Sequence, residues 1–314
     1  MKIVILIYII LQKGWTEMLI SGNIGEKIKD LRQYFGISQK AVCEGICSQA
    51  YISRLEKGEI NVSADILFLL SRRLGVDINY FFENYNSPRS EYVMTTMREV
   101  RDAINKRDYE HADEIVSLEL KNPLFKKNIE GEQFLLWHKG ICMFELGKGV
   151  DEALFYIDRA LDCCLTTNKN YSEREIEIFL AKAIILHSTK KLTDSKRIYN
   201  ELTTALNKNV YITDPKIFVR SFYNYSRLLV DMNEYSEATQ KAKQGIQYAN
   251  KNGLLYLQGE LYFQLARTYE HMEKLNLAIE NYKTAKSCFA LIDDYKPFEV
   301  SNKKVEEIEE MLNH

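Results

Sequence analysis

From residue 108 onward the chain repeats itself, and that repeat is the strongest constraint on its fold. A small residue recurs as Ala112 in RDYEHADEI, Ala153 in GVDEALFYI, Ser195 in KLTDSKRIY, Ala238 in NEYSEATQK and Ala278 in KLNLAIENY, at separations of 41, 42, 43 and 40 residues. Twelve or thirteen residues before four of these stands another small residue: Gly140, Ala183, Ser226 or Ala266. Seven residues after them come Ala160, Leu202, Gly245 and Ala285. Small side chains at three fixed positions let the two helices of a hairpin, and then the next hairpin, approach closely. That is the packing logic of tetratricopeptide-like arrays, whose standard unit is about 34 residues. The longer period here implies longer helices or loops. An irregular helical bundle is the competing architecture. Only 14 Gly and 4 Pro in 314 residues agree with helices and disfavour a loop-rich β protein. The terminal SNKKVEEIEEMLNH, with Val305, Ile308 and Leu312 at helical spacing, reads as a capping helix.

Ahead of the repeats the texture differs. Ile24, Ile28, Leu31 and Phe35 follow helical spacing, and Gly36 ends that helix. Ser38 offers an N-cap to a second helix, broken at Gly45. Ser48 caps a third, stopped by Gly58, and Ser63 a fourth with Ile66, Leu67, Leu70 and Leu74 inward. Asp77 can cap a short fifth helix carrying Tyr80, Phe81 and Phe82. The polar ENYNSPRS (83–90) reads as a linker. The expected organisation is an apolar extension over 1–20, a helical domain over 21–84, linker and first repeat helix over 85–107, repeats over 108–300 and a cap over 301–314.

Two helices joined at Cys43-Glu44-Gly45-Ile46-Cys47 match a helix-turn-helix, with the helix after Ser48 in the recognition position. The string SQKAVCEGICSQAYISRLEKGE resembles the repressor-type helix-turn-helix module of bacterial and phage regulators. The fold class expected is therefore all-α: an N-terminal repressor-type helix-turn-helix domain followed by a tetratricopeptide-like repeat superhelix. Ala41, Val42, Ile46, Ile52 and Leu55 read as core. The resemblance implies that Gln39 bonds a phosphate, and that Ser48, Gln49, Ala50, Tyr51, Ser53 and Arg54 lie in or beside the major groove of double-stranded DNA. Gln pairs with an adenine edge, Arg with guanine or a phosphate, and the Ala methyl with a thymine methyl. Lys40 and Lys57, at two helix ends, are candidates for phosphate contacts. Glu56 reads as structural. A net charge of −2 means that DNA contact must come from such local groups and not from a global field.

The order of these two parts resembles the RRNPP family of peptide-responsive regulators, within it the PlcR-like members. The resemblance implies a homodimer on a palindromic operator and a concave repeat surface that binds a short signalling peptide. The first helix of each repeat lines that surface. Asn224 and Gln264 stand two residues before Ser226 and Ala266, and a carboxamide bonds a peptide backbone as donor and acceptor. Arg220, Arg227 and Arg267 are placed to hold a carboxylate, and Tyr223, Phe263, Trp137 and Phe144 to supply apolar pockets. The two Trp/Phe positions also suit plain repeat core.

Other classes are constrained by what the sequence lacks. There is no Gly-rich phosphate loop, HExxH or nucleophile elbow, so no enzyme, cofactor or metal is expected. His138 and His187 read as ordinary helix residues. Six scattered cysteines read as free thiols of a cytoplasmic protein. Two further readings stay open: a protein-binding scaffold, and a thiol sensor at Cys43 and Cys47. The apolar run KIVILIYIIL (2–11) is too short to span a bilayer. No membrane association is expected, and Met18 is a plausible start.

Overall fold

The computed structural model describes residues 24–82, 88–126, 128–163, 171–208 and 212–313. The extension over 1–20 with Met18, residues 83–87 of the linker and Cys164 lie outside the described residues. Those described form helices and no strand. The chain divides into two units between Thr96 and Met97, inside one long helix.

In the first unit, α1 (Ile24–Tyr34), α2 (Gln39–Cys43), α3 (Gln49–Glu56), α4 (Ala64–Leu74) and a 3-10 turn (Ile78–Phe81) enclose one core. Ile28, Val42, Ile52, Leu55, Leu67, Leu70, Leu74 and Phe81 are buried in it. The Ser38 hydroxyl accepts the Ala41 N–H and the Ser48 hydroxyl accepts the Tyr51 N–H, both at 3.1 Å, which starts the two helices of the motif where the sequence places them. Between them Gly45 takes φ +72°, a conformation that glycine adopts without the steric cost a side chain would add. Three expectations change. Ala41 is exposed, because Val42 and Cys43 form the buried face of the short α2; the Arg73 guanidinium donates to the carbonyls of Ala41 at 2.9 Å and Glu44 at 3.0 Å. Phe35 is exposed, because α1 ends at Tyr34. Ser63 occupies the N-cap of α4, but its hydroxyl makes no capping bond.

The helix that spans the division is α5 (Pro88–Asn105); after it the second unit contains α6 (Tyr109–Glu119), the single turn α7 (Pro123–Lys126), α8 (Ile129–Glu145), α9 (Val150–Asp162), α10 (Glu173–Ser188), α11 (Leu192–Lys208), α12 (Lys216–Asp231), α13 (Tyr235–Lys251), α14 (Gln258–His271), α15 (Leu275–Leu291) and α16 (Tyr295–Asn313). Antiparallel pairs α8/α9, α10/α11, α12/α13 and α14/α15 pack hairpin on hairpin. All five anchors, Ala112, Ala153, Ser195, Ala238 and Ala278, are completely buried. A Cβ on Gly140 would lie 2.9 Å from the Ala153 carbonyl oxygen and 2.7 Å from Ile157, so the small residue is what permits that helix crossing. Where serine replaces alanine it ties its own hairpin: Ser195 Oγ donates to the Ala183 carbonyl at 2.8 Å, and Ser226 Oγ to the Ala238 carbonyl at 2.9 Å.

The hairpin turns share one geometry. Arg107, Lys190, Asn233 and Glu273 sit at positive φ, and the next N–H in each case bonds a carbonyl five residues back, closing the first helix in a Schellman-type turn. Successive first helices α8, α10, α12 and α14 also touch one another directly. That additional contact puts them along the tighter side of the stack, where a groove-lining row belongs.

Candidate functional site

On α3 the exposed side is polar. Ser48, Gln49, Ala50, Arg54 and Lys57 are exposed, as is Lys40 on α2, while Tyr51, Ser53 and Gln39 are half-buried. The Ser48 hydroxyl is engaged as a cap, and Tyr51 donates to the Asn61 carbonyl at 3.3 Å. Among the described residues Arg54 has only the exposed Glu59 for a side-chain partner, at 3.5 Å, an interaction that water screens. Other basic residues of this unit hold structure. Lys27 donates to the carbonyls of Tyr80 and Phe81, Arg73 to α2, and Arg32 to Glu56. This leaves Lys40, Arg54 and Lys57 as cations clustered on the motif itself. Gln39 donates one amide N–H to Glu56 at 2.8 Å, and a carboxamide carries a second that can face outward.

The first-helix row carries the other candidates. Asn224 is buried; its amide donates to the Arg220 carbonyl at 2.9 Å and its oxygen accepts from Arg227 at 3.3 Å. Gln264, at the equivalent place in the next repeat, is 3 % exposed, and its Nε2 has no partner among the described residues. Arg220 reaches across to Glu177 on α10 at 2.8 Å, while its Nε is buried and unpartnered. Arg267 lies 3.7 Å from Asp231, which also takes His187 at 3.0 Å and Lys190 at 3.7 Å. Burial pushes the Asp231 carboxyl up, but the hydrogen bond from His187 and the charges of Lys190 and Arg267 more than offset it and its pKa is lowered. Tyr223 lies beneath the Arg227 guanidinium, 5.6 Å from ring centroid to Cζ, and Phe263 packs edge-on against Tyr282 at 5.1 Å.

Trp137 is separate from this group. It is buried against Phe134 and His138 on α8, with its indole Nε1 unpartnered among the described residues. Phe144 is half-buried in the same core. Asn224, Arg227, Tyr223, Gln264 and Arg267 therefore share the α12–α14 face, and Trp137 belongs two hairpins earlier. Glu177, Asp231 and Glu260 join the row without having been singled out in the sequence.

Residues 97–305 match the RNPP family C-terminal domain, two thirds of the chain, and residues 28–81 match a helix-turn-helix. The chain belongs to the RNPP family. No curated protein matches it by sequence. Among solved structures, the RNPP chain is similar to Bacillus thuringiensis PlcR in complex with the peptide PapR7 and DNA. That match is 23% identical, with TM-score 0.76, and covers 90% of this chain and 99% of that one. It is also similar to ComR from S. thermophilus in complex with DNA and its signalling peptide, 16% identical with TM-score 0.61, covering 91% and 99%. Streptococcus dysgalactiae Rgg2, an SHP pheromone receptor, is 13% identical with TM-score 0.63, covering 90% and 99%. At such identities the likeness is one of fold, and it extends over both units of this RNPP chain.

The cysteines of the helix-turn-helix carry a different signal. Burial, with the Cys43 thiol alongside, pushes the Cys47 thiol above its ordinary range. A reactive sensor needs the opposite shift, because the thiolate is the species that reacts.

Proposed function

We propose that this protein is a sequence-specific DNA-binding transcription regulator controlled by a short signalling peptide held along the first helices of its repeats. The observation that carries the reading is the pairing, in one RNPP chain, of an exposed polar recognition helix with a repeat row in which Gln264 Nε2 and Arg220 Nε are buried without a partner among the described residues. PlcR with PapR7 and DNA, and ComR with DNA and its signalling peptide, support it. Residues 21–84 are the DNA-binding part and 108–300 the sensor, joined over 85–107 and closed by 301–314. Gln49 and Arg54 read bases, while Gln39, Lys40 and Lys57 hold phosphates. Ser48, Ala50, Tyr51 and Ser53 fit the groove wall. Trp137, Arg220, Tyr223, Asn224, Arg227, Phe263, Gln264 and Arg267 hold the peptide.

A homodimer presents two recognition helices to half-sites about 34–36 Å apart, so the operator is an inverted repeat. Peptide binding acts by favouring one arrangement of the repeats over another, which requires different affinities for the two. The chain works in the cytoplasm without enzymatic activity, and no helix among the described residues is long and apolar enough to cross a membrane. The test is selection of duplexes from randomised DNA by purified protein, with and without synthetic peptides encoded by short reading frames beside the gene. An enriched inverted repeat whose affinity changes with one such peptide is expected. Enrichment of no sequence would overturn the reading.

A further inference from the structure

The α12–α14 face has a charge, on Arg227, that no ion pair among the described residues answers. Tyr223 lies at its centre, close enough to feel Arg227, Glu260 and Arg267. Arg220 is answered by Glu177, and Arg267 by Asp231. Arg227 is half-buried, and among the described residues it meets only the neutral Asn224 oxygen and the Tyr223 ring. Glu260 makes no ion pair with it among the described residues, and burial above all, with Asp294 nearby, raises the pKa of that carboxyl. Lys190 joins Arg267 as a second cation on the shared Asp231. A partly desolvated guanidinium without an anion is unfavourable, and a bidentate carboxylate is the group that fits its fork.

A second observation points the same way. Gln264 is 3 % exposed, and its Nε2 donates to nothing among the described residues. It stands on α14 one turn from both Glu260 and Arg267, on the face turned toward Tyr223. A buried donor left unmade is costly, so a site that keeps one is arranged for an acceptor from outside. Asn224, the equivalent residue one repeat earlier, is already satisfied within its own helix. The unmade donor therefore lies on the α14 side.

We infer that this face binds a carboxylate of the peptide, clamped by Arg227, while Gln264 Nε2 donates to a carbonyl oxygen of the same segment. The carboxylate is either an Asp or Glu side chain or the free C-terminus, and the inference rests on the peptide reading of the repeats. Affinity selection on immobilised full-length protein tests it, using randomised short peptides in two pools, one with free C-termini and one amidated. A side-chain source predicts that peptides retained from both pools are rich in Asp and Glu over Asn and Gln. A C-terminal source predicts retention from the free pool and none from the amidated one. In either case Arg227→Gln loses about 10- to 100-fold in affinity for the retained peptides, and Arg227→Lys recovers part of it. Thermal unfolding and operator binding confirm that both variants fold. Retention from the amidated pool without acidic enrichment, or an Arg227→Gln protein that keeps the parent's peptides, would overturn the inference and leave the peptide reading standing. A parent that binds operator yet retains nothing from either pool would overturn both.

Discussion

Arg32 and Glu56 form a two-pronged ion pair, Nε donating to Oε1 at 2.6 Å and Nη2 to Oε2 at 3.0 Å. Arg32 also donates to the Ile37 carbonyl at 2.9 Å, and the Gln39 amide closes on Glu56 at 2.8 Å. One carboxylate thus binds α1, α2 and α3 together and sets the angle at which the recognition helix is presented. Burial pushes the Glu56 carboxyl up, but the bonds from Arg32 and Gln39 and the nearby positive charge more than offset it, leaving the pKa below its ordinary value. A carboxyl depressed in this way contributes stability that is fully present above its unfolded pKa of about 4.3 and is lost as pH falls through the folded one. Glu56→Gln is expected to lower the stability of this unit by about 3 kcal/mol at pH 7 and to flatten its acid limb. Urea midpoints at pH 7 and in the acid range check both effects.

Gly25 makes a different kind of contact with the same helix. A Cβ there would lie 1.8 Å from the Leu55 carbonyl oxygen, an approach no rotamer change relieves. Gly25→Ala must push α1 from α3, at a cost of about 1–3 kcal/mol or more. It should also weaken operator binding by displacing α3. Gly45→Ala has open space around it and only its positive φ to contend with, so a loss of about 1 kcal/mol is expected. Denaturation of the two variants side by side separates close packing from backbone conformation.

The exposed groups of α3 predict a division between bases and phosphates. Gln49→Ala and Arg54→Ala should each weaken operator binding by about 1–3 kcal/mol and relax preference at one position. Lys57→Ala should weaken all sequences alike and reduce the salt slope by about 1. Fluorescence anisotropy on operator and mismatched duplexes at several salt concentrations reads both. Equal losses on every duplex for Gln49→Ala would move that residue from base readout to backbone positioning.

His138 supplies a pH dependence in the repeat unit. It is buried, with Nδ1 2.8 Å from the Phe134 carbonyl, which fixes the proton on that nitrogen. Burial, with the charges of Arg101 and Arg174 adding to it, lowers its pKa to about 3. The sign follows directly. A histidine with a folded pKa below the unfolded value of about 6.5 costs stability as pH falls beneath 6.5, at up to about 1.4 kcal/mol per unit. Replacing it with a residue that does not titrate, His138→Gln, should flatten stability between pH 6.5 and 4. Chemical denaturation across that range is the measurement.

The repeat was legible because its signal is periodic and local. Ala112, Ala153, Ser195, Ala238 and Ala278 can be found by counting, and every one is fully buried. The motif caps Ser38 and Ser48 were equally plain, since each acts on an N–H three residues along its own helix. What could not be read were pairings made one period apart. Arg220 with Glu177, and His187 with Asp231, join residues 43 and 44 apart in sequence. A charged residue on a helix surface looks the same whether it faces water or the next hairpin. Ala41 shows the converse limit: its apolar side chain fits the core pattern, yet in a helix of one turn Val42 and Cys43 take the buried face and Ala41 faces out. Asn224 and Gln264 looked equivalent in sequence, and only their surroundings distinguish a satisfied carboxamide from an open one.

That distinction gives two substitutions of opposite character. Gln264→Leu removes a buried donor that has no acceptor among the described residues, so the variant should be more stable than the parent by about 1–2 kcal/mol. The same change deletes the hydrogen bond offered to a peptide carbonyl and should lower peptide affinity about tenfold or more. Asn224→Leu instead breaks existing bonds with Arg220 and Arg227 and should destabilise the repeats. Its effect on peptide affinity therefore arrives together with a loss of stability. Thermal unfolding and calorimetric peptide titration on both variants decide the matter. A Gln264→Leu protein that is less stable and binds peptide like the parent would place Gln264 in the ordinary core. A protein that gains stability as it loses its ligand would show that the repeats carry an unfavourable buried group because the peptide needs it.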